Sequence, residues 1–385
     1  MFPLDDPSPN FSELEAVLKG NKKPETVRFV EFVVDVEVVR EIIENFFRGE
    51  ASFISPREPI SGKVKNFLNG KTDKIVLGNT HTEKEYLKQW VNFYYKMGYD
   101  YAPAVLPRDY LIGMLNSETR EAKDTAIYTE GDRSWVEEGT GMISTWEDFK
   151  NFPWNRIKLD INEYFEFYEK ILPEGMKVTI YASLFEVVGE RIFGWENFFR
   201  LLYKEPDLVE KVIQKWGEIV LDFYRRAIKY DAVGGIFHAD DLGYKKGTMI
   251  KPEMLNELIF PWFKDYASIA HQEGKMFWYH CCGNVLEVMD DLIHYVDIDA
   301  FHSFQDQIIP VSKFQAKFGD EIATLGGIDV DKLARMDEQS LREHVKDVLN
   351  SCMPRGRYAL GAGNSITNYI PVDNYIAMLE EGKTW

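Results

Sequence analysis

Cysteine is scarce in this chain, whose 385 residues contain only three, two of them adjacent. That number and spacing do not make a disulfide framework. The first six residues, Met1 to Asp6, have neither the basic start nor the apolar core of a secretory signal. We therefore expect a protein of the reducing cytoplasm.

Long apolar runs and an excess of positive charge are also missing. No window approaches the roughly 18 uninterrupted apolar residues of a membrane span, so we expect a soluble protein. Lys and Arg number 45 against 63 Asp and Glu, a formal net charge of −18. This balance argues against a general affinity for nucleic acid or anionic lipid, because both are polyanions. The acidic residues are spread along the chain and identify no partner.

Several common catalytic motifs are absent. Gly326-Gly327 and Gly361-Ala362-Gly363 fit neither a phosphate-binding loop nor a dinucleotide-binding fingerprint. The chain has no Gly-x-Ser-x-Gly elbow, and its Ser, His and Asp residues form no persuasive nucleophile triad. The glycines at these two places instead favour a close approach of the backbone to a ligand, or tight packing of neighbouring strands.

Eight short apolar segments recur along the chain, most of them bounded by stretches of helical length. Strands that alternate with helices predict βαβ units and a parallel sheet, and eight of them favour closure into a barrel. We therefore predict an α/β protein with a (β/α)8 barrel of the TIM type. The predicted strands are 28–35, 100–107, 178–186, 234–241, 276–282, 300–305, 323–329 and 358–364.

The region between the second and third predicted strands is too long for a simple connection. Residues 118–138 are dense in charge, and Pro153 interrupts the aromatic stretch 146–154. We predict an insertion at about 107–176 that covers one end of the barrel. Residues 1–26 are predicted to form an N-terminal arm, and 27–385 a single barrel domain.

Nearly every predicted strand ends in a carboxylate, an imidazole, a thiol or an amide. Barrel enzymes place their active sites at the carboxyl ends of the strands, and buried ionisable groups cost several kcal/mol unless they are paired or bind a metal. We therefore predict that these residues form one site. They are Asp35, Glu186, His238, Asp240, Asp241, His280, Cys282, His302, Asp329 and Asn364.

His280-Cys281-Cys282 is the most informative of these strand ends. Side chains two apart on a strand share a face, so His280 and Cys282 converge while Cys281 turns away. An imidazole nitrogen and a thiolate sulfur together suit zinc. The alternative is a buried, hydrogen-bonded histidine beside two small apolar cysteines.

The other strand ends also have structural alternatives. Asp240 shares the face of His238, whereas Asp241 points away unless the strand has already ended. Both aspartates are also typical of turns. His302 is equally consistent with a core histidine, and Asp329 with the N-cap of a helix.

The order of several motifs resembles that of the uroporphyrinogen decarboxylase superfamily, and most closely its branch of cobalamin-dependent methyltransferases that act with corrinoid proteins. The resemblance is strongest over the C-terminal 150 or so residues. Its motifs are Asp240-Asp241-Leu242-Gly243, Ile250-Lys251-Pro252-Glu253-Met254, Pro261-Trp262-Phe263, His280-Cys281-Cys282-Gly283-Asn284, Phe318-Gly319-Asp320, Leu325-Gly326-Gly327-Ile328-Asp329 and Gly361-Ala362-Gly363-Asn364-Ser365-Ile366.

The resemblance implies a distorted barrel and a zinc ion held by His-x-Cys and a later Cys. In that branch the zinc activates a thiol, which attacks a methyl group on cobalt. His280 and Cys282 match the first two ligands, but the later Cys falls on Asn364. An amide is a poor zinc ligand beside a thiolate, so either Glu186, His238 or Asp240 completes the metal site or no metal binds.

The leading hypothesis is a methyltransferase-like enzyme that moves a methyl group between a small substrate and a separate corrinoid protein. A thiol, a methoxyaromatic or a methylamine is the expected substrate. Asp240, Asp241 and His302 are the candidate catalytic residues. The candidate substrate-binding residues are Asp35, Asn364, Trp278 and Tyr369, although core packing is the alternative for the last two.

Two further hypotheses remain at this stage. One is decarboxylation of a porphyrinogen or a smaller acid, with Asp35 or Asp240 stabilising a protonated pyrrole. The region 28–35 is anionic apart from Arg28, however, and a substrate with several carboxylates needs cationic partners. The other is a barrel that binds a ligand or a corrinoid without catalysis.

Overall fold

A curled parallel sheet forms the centre of the protein. The computed structural model describes residues 2–47, 52–54, 63, 66–67, 70–104, 119–123, 132–136, 141–157 and 159–385. Within these residues, seven strands form the sheet, all paired in parallel. In sheet order they are Tyr358–Ala359, Ala323–Leu325, Ala300–His302, Met276–His280, Val233–Ala239, Lys177–Ile180 and Tyr101–Pro103.

Helices alternate with these strands, and most of them pack on the outer face of the sheet. The α-helices are Phe11–Leu18, Val36–Phe46, His81–Lys96, Trp146–Asn151, Asn162–Ile171, Trp195–Lys204, Pro206–Ala227, Pro252–Leu258, Phe260–Gln272, Met289–Asp291, Val311–Phe318, Val330–Arg335, Glu338–Cys352 and Val372–Thr384. Short 3₁₀ turns lie at Trp154–Arg156, Leu286–Val288 and Met353–Arg355, and π-helical turns at Val187–Phe193 and Leu292–Val296. None of the helices that the structure describes is both long and apolar enough to cross a membrane.

Among the described residues, three smaller strand pairs lie outside the main sheet. One is parallel, Ile75–Val76 with Leu159–Asp160. The other two are antiparallel, and they are Thr119–Lys123 with Asp132–Val136, and Gly243–Tyr244 with Gly247–Thr248. The last pair directly follows a strand of the main sheet and so lies at its carboxyl end.

The eighth position of the barrel is filled by the extended segment 28–35, which forms isolated bridges instead of a regular ladder. Phe29 pairs with Leu360, and Val34 with Ile366, both in parallel. On its other side the segment is held by Tyr101, whose hydroxyl accepts from the Glu31 N–H at 3.2 Å and donates to the Glu31 carbonyl at 2.6 Å. A side chain thus replaces ladder hydrogen bonds between the first and second β segments.

We expect the Tyr101→Phe substitution to lower the free energy of unfolding by about 2 kcal/mol, because both backbone groups of Glu31 would lose a buried partner. Tyr203→Phe is the matched control, since Tyr203 is 69% exposed and its substitution should change stability by less than about 0.5 kcal/mol. Urea denaturation measures both. Equal stability of the two variants would contradict this account of barrel closure.

The interior of the barrel is apolar and is closed at its amino end by the helix Phe11–Leu18. Phe11, Leu14 and Leu18 belong to the same buried cluster as the inward-facing strand residues. The ring of Trp278 lies 6.1 Å from that of Phe11 and 5.5 Å from that of Tyr101. The N-terminal helix is therefore part of the barrel core.

The structure confirms the predicted fold, a distorted (β/α)8 barrel. The strands are shorter than predicted, since they end at Ile180, Ala239, His280, His302, Leu325 and Ala359. Most polar residues predicted at strand ends therefore lie in the loops that follow. The predicted domain division stays a prediction, and much of the insertion at about 107–176 lies outside the described residues.

Candidate metal centre

Two neighbouring strands end side by side at the carboxyl end of the barrel. Val233–Ala239 and Met276–His280 are parallel, and Ala239 lies opposite His280 in their register. Just past this pair, the Asp240 N–H donates to the His280 carbonyl oxygen at 3.0 Å. Both strands end at this point, so the residues that follow need not alternate between the two faces of the sheet.

Asp241, His280 and Cys282 meet at this point, and their donor atoms all lie within 4.8 Å of one another. Nε2 of His280 is 3.5 Å from Sγ of Cys282 and 4.0 Å from Oδ1 of Asp241. A tetrahedral zinc ion with bonds of about 2.0–2.3 Å sets its ligand atoms roughly 3.3–3.8 Å apart. Nitrogen, sulfur and carboxylate oxygen together also suit zinc. The three residues therefore fit a divalent ion with small shifts.

Hydrogen bonds determine which nitrogen of His280 faces the other two donor groups. Nε2 of His302 lies 3.1 Å from the Ala362 carbonyl oxygen, and because a carbonyl only accepts, this nitrogen carries the hydrogen. Burial lowers the pKa of His302 well below its usual value, so its Nδ1 is a bare acceptor, 2.6 Å from Nδ1 of His280. His280 therefore donates from Nδ1, and its Nε2 is the nitrogen that faces Cys282, as a metal ligand requires.

Phe32 restrains the same imidazole from its face. The rings of Phe32 and His280 are stacked, with centroids 4.3 Å apart and an angle of 19° between their planes. The sequence prediction did not include Phe32 in the site. Alternation along 28–35 places it on the inward face together with Val30, and both belong to the interior cluster.

The sulfur of Cys282 is half-buried between acidic groups and an amide. The Cys282 N–H donates to Oδ1 of Asp241 at 2.7 Å, and Nδ2 of Asn364 donates to Sγ at 3.2 Å. Burial and the Asp241 carboxylate raise the pKa of the Cys282 thiol, and the Glu186 carboxylate contributes to the same effect. Glu186 thus lies close enough to influence this sulfur, as does Asn364.

Asp240, predicted as a catalytic residue or a metal ligand, is fully buried and holds a neighbouring loop. Its carboxylate accepts from the backbone N–H groups of Leu184, Phe185 and Glu186, each at 2.7 Å, and from the Ser183 hydroxyl at 2.8 Å. All its strong contacts are therefore with the turn after the strand Lys177–Ile180. The same loop carries Glu186.

His238, predicted as a metal ligand, lies on the opposite face of the sheet from His280. It is fully buried and packs between the sheet and the helices, with Nδ1 2.9 Å from the Tyr224 hydroxyl. Its ring stacks on Phe277, which also faces outward. Burial lowers the pKa of His238. The structure thus brings Asp241, and not His238, to the candidate centre, because the strand has already ended at Ala239.

The remaining predicted residues are Trp278, Asp35, Tyr369 and Asp329. Trp278 is fully buried in the barrel interior, whereas Asp35 and Tyr369 are half-buried on segments at the carboxyl end of the barrel. Oδ2 of Asp35 accepts from the Asn368 N–H at 2.9 Å. Asp329 caps the helix Val330–Arg335 by accepting from two of its N–H groups, which agrees with its structural alternative.

A cavity of about 770 Å³ lies away from this centre. It lies beside the helix Pro206–Ala227, and Trp154, Asp160 and Arg226 are among its lining residues. No residue of the candidate metal centre lines it. The candidate metal centre and this cavity therefore lie in different parts of the molecule.

The fold is similar to that of a methyltransferase from Methanosarcina mazei, with a TM-score of 0.64. The similarity covers 98% of this chain and 99% of that chain, at 13% sequence identity, and therefore supports the fold alone. No protein with a curated description matches the chain significantly.

A family model supplies the remaining comparison, and it agrees with the resemblance seen in the motifs. The model for uroporphyrinogen decarboxylase (URO-D) matches residues 178–385, more than half of the chain. Asp241, His280 and Cys282 all lie within the matched region. The chain belongs to the uroporphyrinogen decarboxylase family.

Proposed function

We propose that this protein is a metal-dependent methyltransferase that moves a methyl group between a small substrate and the cobalt of a corrinoid protein. The observation that carries the proposal is the meeting of Asp241, His280 and Cys282 at the carboxyl ends of adjacent strands. This is where barrels of this type place their active sites. The structural likeness to a protein named as a methyltransferase agrees with it.

The side chains of the centre have distinct tasks in this proposal. His280, Cys282 and Asp241 would hold the ion, and His302 would orient His280 by accepting from its Nδ1. When bound, a divalent ion supplies the Lewis acidity that activates the heteroatom of the substrate. Glu186, whose carboxylate is close enough to raise the pKa of Cys282, is the candidate to receive or return a proton.

Decarboxylation of an acid with several carboxylates is less well supported by the surroundings of the centre. The side chains Asp241 and Glu186 make the region of Cys282 anionic, which opposes the binding of further carboxylates. Arg28 cannot compensate, because its guanidinium is paired with Asp100 and Glu13 beside the N-terminal helix. That pairing lies at the opposite end of the barrel.

Methyl transfer to free cobalamin tests the proposal. The purified protein is incubated with reduced cob(I)alamin and, in turn, a methoxyaromatic, a methylamine and a methylated thiol. Methylcobalamin, followed by its absorption spectrum, is expected with one of these classes. The reverse reaction, from methylcobalamin to the matching acceptor, is then expected as well, because an enzyme catalyses both directions.

Two results would contradict the proposal. Binding of cobalamin and substrates without turnover would indicate a non-catalytic barrel. Release of CO₂ from a porphyrinogen or a smaller acid, without any methyl transfer, would indicate a decarboxylase.

A further inference from the structure

The segment 361–365, which follows the last strand, contacts the candidate ligand Cys282 directly and the candidate ligand His280 through His302, without supplying a ligand atom itself. The Ala362 carbonyl accepts from His302, which in turn accepts from His280. Asn364 occupies the position where the family resemblance implies a metal-binding Cys. Its side chain reaches Cys282.

The orientation of the Asn364 amide follows from its second contact. The Ser365 N–H lies 2.7 Å from Oδ1 of Asn364, and because a backbone N–H only donates, that atom is the oxygen. The NH₂ group therefore points at Sγ of Cys282, 3.2 Å away. Asn364 faces the sulfur as a hydrogen-bond donor, and its oxygen is turned away from the centre.

Backbone contacts hold this segment in place. The Gly363 N–H donates to the Ile328 carbonyl at 2.6 Å, and the Gly363 carbonyl accepts from the Phe304 N–H at 2.8 Å. The Ala362 N–H donates to Oε1 of Glu31 at 3.1 Å. A Cβ atom at Gly363 would collide with the Phe304 carbonyl oxygen. Asn364 is thus presented to Cys282 from a fixed backbone.

We propose that Asn364 is a positioning residue that donates a hydrogen bond to the metal-bound sulfur of Cys282, in place of a second cysteine ligand. This inference rests on the proposed function, because it requires a metal ion at Asp241, His280 and Cys282. The hydrogen bond orients the sulfur and withdraws electron density from it. The protein's own ligands are then one sulfur, one nitrogen and one oxygen.

Cobalt substitution reports on this hydrogen bond without an activity assay. Co²⁺ is titrated into metal-free wild type, Asn364→Ala and Asn364→Ser, and the sulfur-to-cobalt charge-transfer band is recorded. We expect Asn364→Ala to bind Co²⁺ about 10- to 100-fold more weakly. Its band should move to lower energy, because a sulfur without its donor gives up an electron more easily. Asn364→Ser keeps a hydroxyl donor and should lie between the two.

Two further variants serve as controls. Asn256→Ala removes an amide that donates to Asp291 outside the centre and should match the wild type in affinity and band energy. Cys282→Ala should lose the band. Far-UV circular dichroism confirms that each variant is folded, and the Asn364→Ser protein provides a second, milder test.

The possible failures are distinguishable. If wild type bound Co²⁺ with a sulfur band and Asn364→Ala had the same affinity and the same band energy, the inference about Asn364 would be wrong and the proposed function would stand. If the band survived in Cys282→Ala, the sulfur would not be that of Cys282, and the inference would also fail. If wild type bound no Co²⁺, the proposed function would fail, and this inference with it.

Discussion

Replacing His280 or Cys282 by alanine is expected to lower the rate of methyl transfer by at least about 100-fold, because loss of an outer hydrogen bond to a metal ligand already costs 10- to 100-fold. Each substitution removes one of three donor atoms that lie within 4.8 Å of one another. Asp241→Asn should lower the rate less. The negative charge is lost, but the amide oxygen of the new side chain can still accept from the Cys282 N–H.

Cys352→Ala is the matched control for the loss of a thiol. Cys352 is buried at the end of the helix Glu338–Cys352. Because this end of the helix leads into the last strand, Cys352 lies at the amino end of the barrel. Its substitution should leave the rate of methyl transfer within about twofold of the wild-type rate. A His280→Ala or Cys282→Ala protein that is as active as Cys352→Ala would show that the metal centre does not carry the activity.

The second large effect concerns stability. Asp240→Ala is expected to lower the free energy of unfolding by about 3–5 kcal/mol, because three buried donors and one part-buried donor would lose their acceptor. These donors are the backbone N–H groups of residues 184–186 and the Ser183 hydroxyl. Urea denaturation measures the change, and Asp241→Asn, at a half-buried position, should cost less than about 1.5 kcal/mol.

The Asp240 variants also separate a structural role from a catalytic one. Asp240→Asn keeps the shape of the side chain but places an NH₂ group against the N–H donors. This substitution should therefore also lower the free energy of unfolding. The fraction that remains folded should still bind metal, because Asp240 supplies no ligand atom. Wild-type stability of Asp240→Ala, together with a loss of turnover, would instead support the catalytic role predicted from the sequence.

The periodicity of the sequence predicts the strands of the barrel because their apolar character arises from burial on both faces. It does not predict where each strand ends. The strand Val233–Ala239 ends early because the Asp240 side chain is bound by the turn at 183–186, a contact between distant parts of the chain. This exit turns Asp241 toward His280, while His238 lies on the opposite face of the sheet.

The first segment and Asn364 show the same limit. The pattern of 28–35 predicts a strand, but a hydroxyl of Tyr101 substitutes for part of its ladder, and no local pattern encodes that contact. The spacing of motifs places Asn364 where the resemblance to the methyltransferase branch implies a Cys. Only the structure shows that its amide donates to Cys282.

Elemental analysis of protein purified without chelator shows whether Asp241, His280 and Cys282 bind a divalent metal ion. We predict close to one equivalent of zinc per chain in the wild type, and a loss of this metal in a His280→Ala/Cys282→Ser double variant that remains folded. A folded wild-type protein without metal, which also takes up none on dialysis against zinc, would contradict the account.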